Sequence, residues 1–122
     1  MFQDVLKDVV HRTEGGLAGL IMGFDGITVD SYVRDDAEAP FEVETVGMEY
    51  SVILKEIRRA AEMLEAGAAR QVAIQAEKLT TVIRFINEDY FVARAMAPGG
   101  NHGKARFLLR TSAGKLAADL TV

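Results

Sequence analysis

The chain has 122 residues, 49% of them hydrophobic and 26% charged, with two prolines, no cysteine and a net charge of -4. This length is enough for one domain with a real core, and a single unit over 1–122 is expected. The missing cysteines exclude disulfides, thiolate nucleophiles and Cys-type metal sites, and the acidic balance argues against a nucleic-acid partner.

Taken in order, Phe2, Val5, Leu6 and Val9 fall at i, i+3, i+4 and i+7, so residues 2–13 are expected to form an amphipathic helix. Glu14-Gly15-Gly16 ends it. The same N-terminus, MFQDVLKDVV, is acidic and lacks the long apolar run of a signal peptide. LAGLIMGF reads as a strand ending at Asp25-Gly26, a pair suited to a tight I′ hairpin turn with two positive φ angles. ITVDSYV is its return strand, and the acidic segment 34–42, which contains Pro40, is a surface loop.

Residues 43–66 form the longest predicted helix, closed by Gly67. Strands are expected at 71–76, 79–87 and 90–97, with Asn87-Glu88-Asp89 as a second tight turn. A glycine-rich connection at 98–103 leads into a last helix at 104–119. The order is α-β-β-α-β-β-β-α, and tight turns between strands predict an antiparallel sheet. Leu20, Ile21 and Met22 run together, as do Val82 and Ile83, which predicts a sheet covered on both faces. No stretch approaches the roughly 20 apolar residues of a membrane span, so no membrane association and a cytoplasmic location are expected.

APGGNHGKAR, residues 97–106, has the look of a phosphate loop. In the Walker register, however, Pro98 stands where the first glycine belongs and Ala105 where the magnesium-binding hydroxyl belongs. The preceding strand also belongs to a meander, so the segment reads as a connector in which glycines and Asn101 turn the chain. No cofactor is expected. His11 and His102 are isolated from each other and predict no metal site. Ser31, Ser51 and Ser112 lack a nucleophile-elbow context. Asp25 is accounted for as a turn former beside Gly26, and Asp35-Asp36 and Glu42/Glu44 as solvated charges. No catalytic residue is assigned.

The long helix says more. Val46, Tyr50, Ile53, Leu54, Ile57, Ala60, Ala61 and Leu64 form one broad apolar arc, expected to lie on the sheet. A second stripe, Met48, Val52, Glu56, Arg59 and Met63, has the 3–4 rhythm of a helix that packs on another helix. Lys55, Arg58, Glu62 and Glu65 complete the solvated side. The strand Gln71, Val72, Ala73, Ile74, Gln75 and Ala76 contains no Pro or Lys to block pairing with another chain. The stripe and this strand are the candidate dimer or partner interface.

The order of elements, with GLIMGFDGITVDS as its hairpin, INEDYFVARA as a later turn and GKARFLLRTSAGKL as its last helix, resembles the Roadblock family. That family includes dynein light chains and bacterial MglB-type and MglC-like proteins. The resemblance implies an α+β fold: a five-stranded antiparallel sheet with one long helix on one face and two helices on the other. It also implies a homodimer joined through the long helix and third strand, and partnership with a small Ras-like GTPase or another Roadblock protein. Members bind the GTPase and do not themselves hold the nucleotide. The expected function is a non-enzymatic regulator or adaptor, for example in cell polarity or motility control. The alternatives are a GTPase-activating protein, which would draw on Arg58 or Arg59, and a scaffold subunit without GTPase contact.

Overall fold

The apolar stripe at the start of the chain folds as helix α1, Phe2–His11. Strands β1, Gly16–Gly23, and β2, Thr28–Val33, lead to helix α2, Val43–Met63. Strands β3, Gln71–Gln75, β4, Thr80–Phe85, and β5, Tyr90–Met96, precede the final helix α3, His102–Leu120. The computed structural model describes residues 2–35, 42–99 and 102–120. Most of the acidic loop expected at 34–42, including Asp36 and Pro40, and Asn101 of the connector lie outside the described residues.

The strands form one antiparallel sheet in the order β2-β1-β5-β4-β3, which leaves β2 and β3 as its edges. β1 and β5 lie side by side near the middle and are buried on both faces, as their continuous apolar runs demand. Alternation sends Leu20 and Met22 to one face and Ile21 to the other. α2 lies on the first face, where Leu54 and Val43 pack with Leu20, Met22, Ile83 and Phe91. α1 and α3 share the opposite face, where Leu6 and Val9 meet Ile21, Val82, Val92, Leu109 and Leu116. This is the expected two-layered cover, with one long helix opposite two.

Several boundaries move inward. α1 stops at His11, whose Nε2 lies 2.6 Å from the Tyr32 hydroxyl on β2. α2 stops at Met63, before the predicted end at 66, and the chain leaves it through Glu65 in the left-handed region at φ 54. Gly67, with φ 88, therefore shapes the following loop and is not the residue that closes the helix.

The first hairpin differs from the expected two-residue turn. Only Gly26 has positive φ, at 86, while Asp25 does not. The Gly26 N–H donates to the Gly23 carbonyl at 2.9 Å, and the Gly23 N–H donates to the Ile27 carbonyl at 2.9 Å. Phe24, Asp25 and Gly26 thus form a three-residue loop that ends in a left-handed glycine, a form that twisted hairpins also favour. Asp25 Oδ1 accepts the Ile27 N–H at 3.0 Å and fixes the turn from its side chain. Ile27 closes this loop opposite Gly23, and the return strand itself begins at Thr28. Gly26→Val forces a β-branched residue to positive φ and should destabilise the fold by roughly 1 kcal/mol or more. Chemical denaturation checks this, with Thr28→Val on the adjacent strand as the comparison expected to change stability less.

Candidate partner interface

α2 settles on the sheet through its smallest residue. A Cβ on Gly47 would collide with Leu20 Cδ2 and press on Met22, so the glycine lets the helix backbone approach β1 closely. Val43, Gly47, Ser51 and Leu54 are the buried residues of α2, with Val46, Tyr50, Ile57 and Ala61 half-buried beside them. The buried side is therefore rotated from the predicted arc. Ile53, at 51% exposed, and Leu64, at 78%, face away from the sheet, and Ala60 is exposed as well. The reason is where α2 lies. It is seated over β1 and β2, and the flank carrying Ile53, Ala60 and Leu64 is turned to the β3 side and left exposed.

The predicted stripe lies wholly on the outer surface of the helix. Met48, Val52 and Met63 are 55%, 60% and 73% exposed. Glu56 and Arg59 between them are joined within the helix, with Arg59 Nη2 donating to Glu56 Oε2 at 3.0 Å. Both carry about two-thirds exposure, so this bond adds little stability. The two flanks of α2 face different parts of the molecule. Met48 comes to the Gly26 turn, whereas Val46 and Tyr50 face the β3–β4 turn across a mostly apolar groove of about 410 Å³. Thr45, Glu49 and residues Ala76, Glu77, Lys78 and Leu79 complete its walls.

β3 is an edge strand, paired on one side only, with β4. Val72 and Ile74 turn toward the α2 face, where they pack against the core yet stay half-buried. Ala73 pairs with Val82 and turns to the opposite face, while Gln71 and Gln75 end the strand. An unpaired strand edge thus runs beside a partly covered apolar sheet surface, and the exposed Ile53 flank of α2 borders the same surface.

Arg58 departs from the solvated position expected for it. Its guanidinium carbon lies 4.3 Å from the centre of the Phe24 ring, and Nη1 donates to the Glu88 carbonyl at 2.5 Å. Phe24 in turn contacts the rings of Phe85 and Phe91 at centroid separations of 5.4 and 5.3 Å. Arg58 therefore ties α2 to both hairpin turns. Arg94, to which the sequence analysis assigns no role, is fully buried on β5. Its Nη1 donates to the Val9 carbonyl, and its Nη2 to the Val10 carbonyl at 3.0 Å, near the C-terminal end of α1. Burial lowers its pKa to about 10, so it stays charged at neutral pH. A lone arginine within the small and apolar run of YFVARAM was the available sign.

The Walker-like segment has no phosphate-loop geometry around its described residues. It leaves an antiparallel strand, Ala97 donates to the Gly15 carbonyl at 2.8 Å, and Gly99 turns the chain at φ 87. Among the described residues, no three His, Cys, Asp or Glu side chains converge as a metal site would require. None of the described helices is long and apolar enough to cross a membrane.

No protein-family model matches the chain, and neither does any curated protein. Solved structures do. MglC from Myxococcus xanthus is 40% identical over 96% of this chain and 97% of that one, with a TM-score of 0.69. A Roadblock/LC7 domain from Streptomyces avermitilis matches with a TM-score of 0.84 at 12% identity, covering 98% of each chain. A structure described as MglB with tetrameric arrangement also reaches 0.84, at 16% identity over 94% of this chain and 84% of that one. The last two show likeness of fold alone.

Adjacent in sequence, Arg58 and Arg59 should behave differently on substitution. Arg58→Ala removes a cation–π contact and a hydrogen bond to a carbonyl, for an expected loss of about 1–2 kcal/mol. Arg59→Ala removes only an exposed ion pair and should cost less than about 0.5 kcal/mol. Urea denaturation of both variants checks the difference.

Proposed function

The chain belongs to the Roadblock family, as a relative of MglC, and on that premise we propose that it is a homodimeric, non-enzymatic adaptor. It binds a small Ras-like GTPase, another Roadblock protein, or both, in the cytoplasm, and serves the control of cell polarity or motility. The observation that carries this reading is the pairing of an open β3 edge with an apolar helix flank that the protomer's own sheet does not cover.

In the proposed dimer, β3 edges pair about a two-fold axis and each α2 packs against its mate. A two-fold interface brings the same patch to itself, and a stable one buries about 800 Å² per partner. The β3-side flank supplies Ile53 and Leu64, and the outer stripe supplies Val52 and Met63. That a related fold is described as MglB with tetrameric arrangement supports self-association. The adaptor reading is preferred to GTPase activation because Arg58 is engaged by the Phe24 ring and the Glu88 carbonyl. An arginine inserted into a GTPase must be free to leave its own surface.

Sedimentation tests the dimer. The wild-type protein should be dimeric at about 10 μM, a concentration well within the range of stable interfaces. Ile53→Asp and Met63→Asp would bury a carboxylate without a partner and should yield monomers. Lys55→Asp, on the hairpin side of α2, should remain dimeric. A monomeric wild type, or two Asp variants as dimeric as wild type, would overturn the seam.

Capture on immobilised protein, followed by single-turnover GTP hydrolysis, tests the partner. A Ras-like GTPase or a Roadblock protein should be retained, with the hydrolysis rate of the GTPase unchanged. Acceleration on the order of 10³ would instead mark an activating protein. Retention of neither partner would leave a scaffold subunit.

A further inference from the structure

α3 holds the sheet with Ala105, Leu108, Leu109 and Leu116, all at most 2% exposed. Its opposite side carries Arg106, Phe107, Arg110, Gly114 and Lys115, all exposed. Three features of that side work against the isolated fold, and they coincide on one surface.

The first is Phe107, at 52% exposed. The second is charge. Arg106 and Arg110 bring two cations to that side, and Asp119 is the one acidic residue of the helix, within a chain of net charge -4. Arg106 and Arg110 are one turn apart, where like charges repel. The first turn of the helix contains no acidic residue, although its dipole favours one there. The third is Gly114. Its φ is not positive, and a Cβ there would meet nothing within 4 Å, so neither backbone nor packing calls for glycine. Within a helix, glycine is less stable than alanine.

Phe107, Arg110 and Gly114 stand at i, i+3 and i+7, in one row along the helix. We propose that this row is a docking surface for an acidic helical segment of a partner protein. Gly114 gives room for a second helix to come close, since interaxial distance follows the side chains at the contact. Phe107 supplies the apolar anchor. Arg110 lies with its guanidinium carbon 5.7 Å from the Phe107 ring centre, which orders the cation before binding and reduces the entropy lost. Arg106 and Arg110 offer planar donor forks that match carboxylates.

The chemistry favours an acidic protein helix over other anions. A bilayer would gain little beyond one aromatic ring, because Leu108, Leu109 and Leu116 are in the core and Leu120 packs against it. A nucleic acid would meet a chain that is acidic as a whole. The surface lies on the sheet face opposite α2, so it is separate from the proposed dimer flank.

Four probes test this by fluorescence anisotropy or sedimentation with the full chain. They are a synthetic helix with Glu at i, i+4 and i+7 around one Leu, its Lys-for-Glu counterpart, phosphatidylserine vesicles, and a DNA duplex. The acidic helix should bind saturably and weaken as salt is raised. Arg106→Glu combined with Arg110→Glu should weaken it by about tenfold or more. Gly114→Leu should also reduce binding without lowering the melting temperature. Gly114→Ala should raise the melting temperature by a few degrees. Tighter binding to vesicles, duplex or the Lys helix would overturn the proposal. So would undiminished binding by the double variant, or no saturation by the acidic helix up to about a millimolar. A lower melting temperature in Gly114→Ala would return that glycine to the fold and overturn its docking role.

Discussion

One helix is narrower than five strands. Strands lie about 4.8 Å apart, so the two edge strands of this sheet are roughly 19 Å apart, while a helix with its side chains spans about 10–12 Å. On one face the chain meets that width with two helices, α1 and α3, which share a core with β1, β4 and β5. On the other it has α2 alone, drawn over β1 and β2 by the close approach at Gly47. The shortfall falls on the β3 side. Val72 and Ile74 stay half-buried there, the groove beside Val46 and Tyr50 stays open, and Ile53 is half exposed. The features that make this surface suited to a partner are thus consequences of how the fold divides its helices.

The two-helix face has its own internal constraint in Arg94. A buried guanidinium without a carboxylate is expensive to desolvate, and its lowered pKa records that penalty. It is held by the Val9 and Val10 carbonyls, at the helix end where the dipole favours a cation. The arrangement also dictates Gly16, because a Cβ at that position would overlap Arg94 Nη2. The glycine that reads in sequence as a helix terminator therefore serves a second purpose, as space for a side chain from β5. α1 is fixed to the sheet through its carbonyls as well as through Leu6 and Val9.

The order of elements was legible because turn chemistry and apolar periodicity agreed along the chain. Gly26 and the Asn87 turn separated strands, and Leu20-Ile21-Met22 announced a strand buried on both faces. The detail of the Gly26 turn was not legible, since Asp-Gly suits both a two-residue turn and a three-residue loop with a left-handed glycine. The helix arc failed in an instructive place. Periodicity gives the angle between Ile53 and Leu54 but not how far the sheet extends beneath each, so both were assigned to the core. Leu54 is buried and Ile53 is half exposed, because α2 is seated over β1 and β2. Arg58 was misplaced for a related reason, because the Phe24 ring that receives it comes from a hairpin far away in sequence. Of the candidate interface, the edge position of β3 and the exposure of Met48, Val52 and Met63 agree with the sequence reading. What sequence alone did not supply was the division of α2 into an outer stripe and a β3-side flank.

The two proposed surfaces lie on opposite faces of one sheet, and that separation has a functional consequence. Pairing through β3 would extend the sheet sideways and leave both α3 helices outward. A dimer would then carry two copies of the basic row, held at a distance set by a rigid sheet and not by a flexible linker. A partner that presents two acidic segments at that spacing gains from the second contact without any new chemistry, because the first raises its effective concentration. A partner with one segment, or with two at another spacing, gains nothing of the kind. In this arrangement the α2 face determines the number of subunits, and that number in turn determines which acidic partners are held tightly by α3.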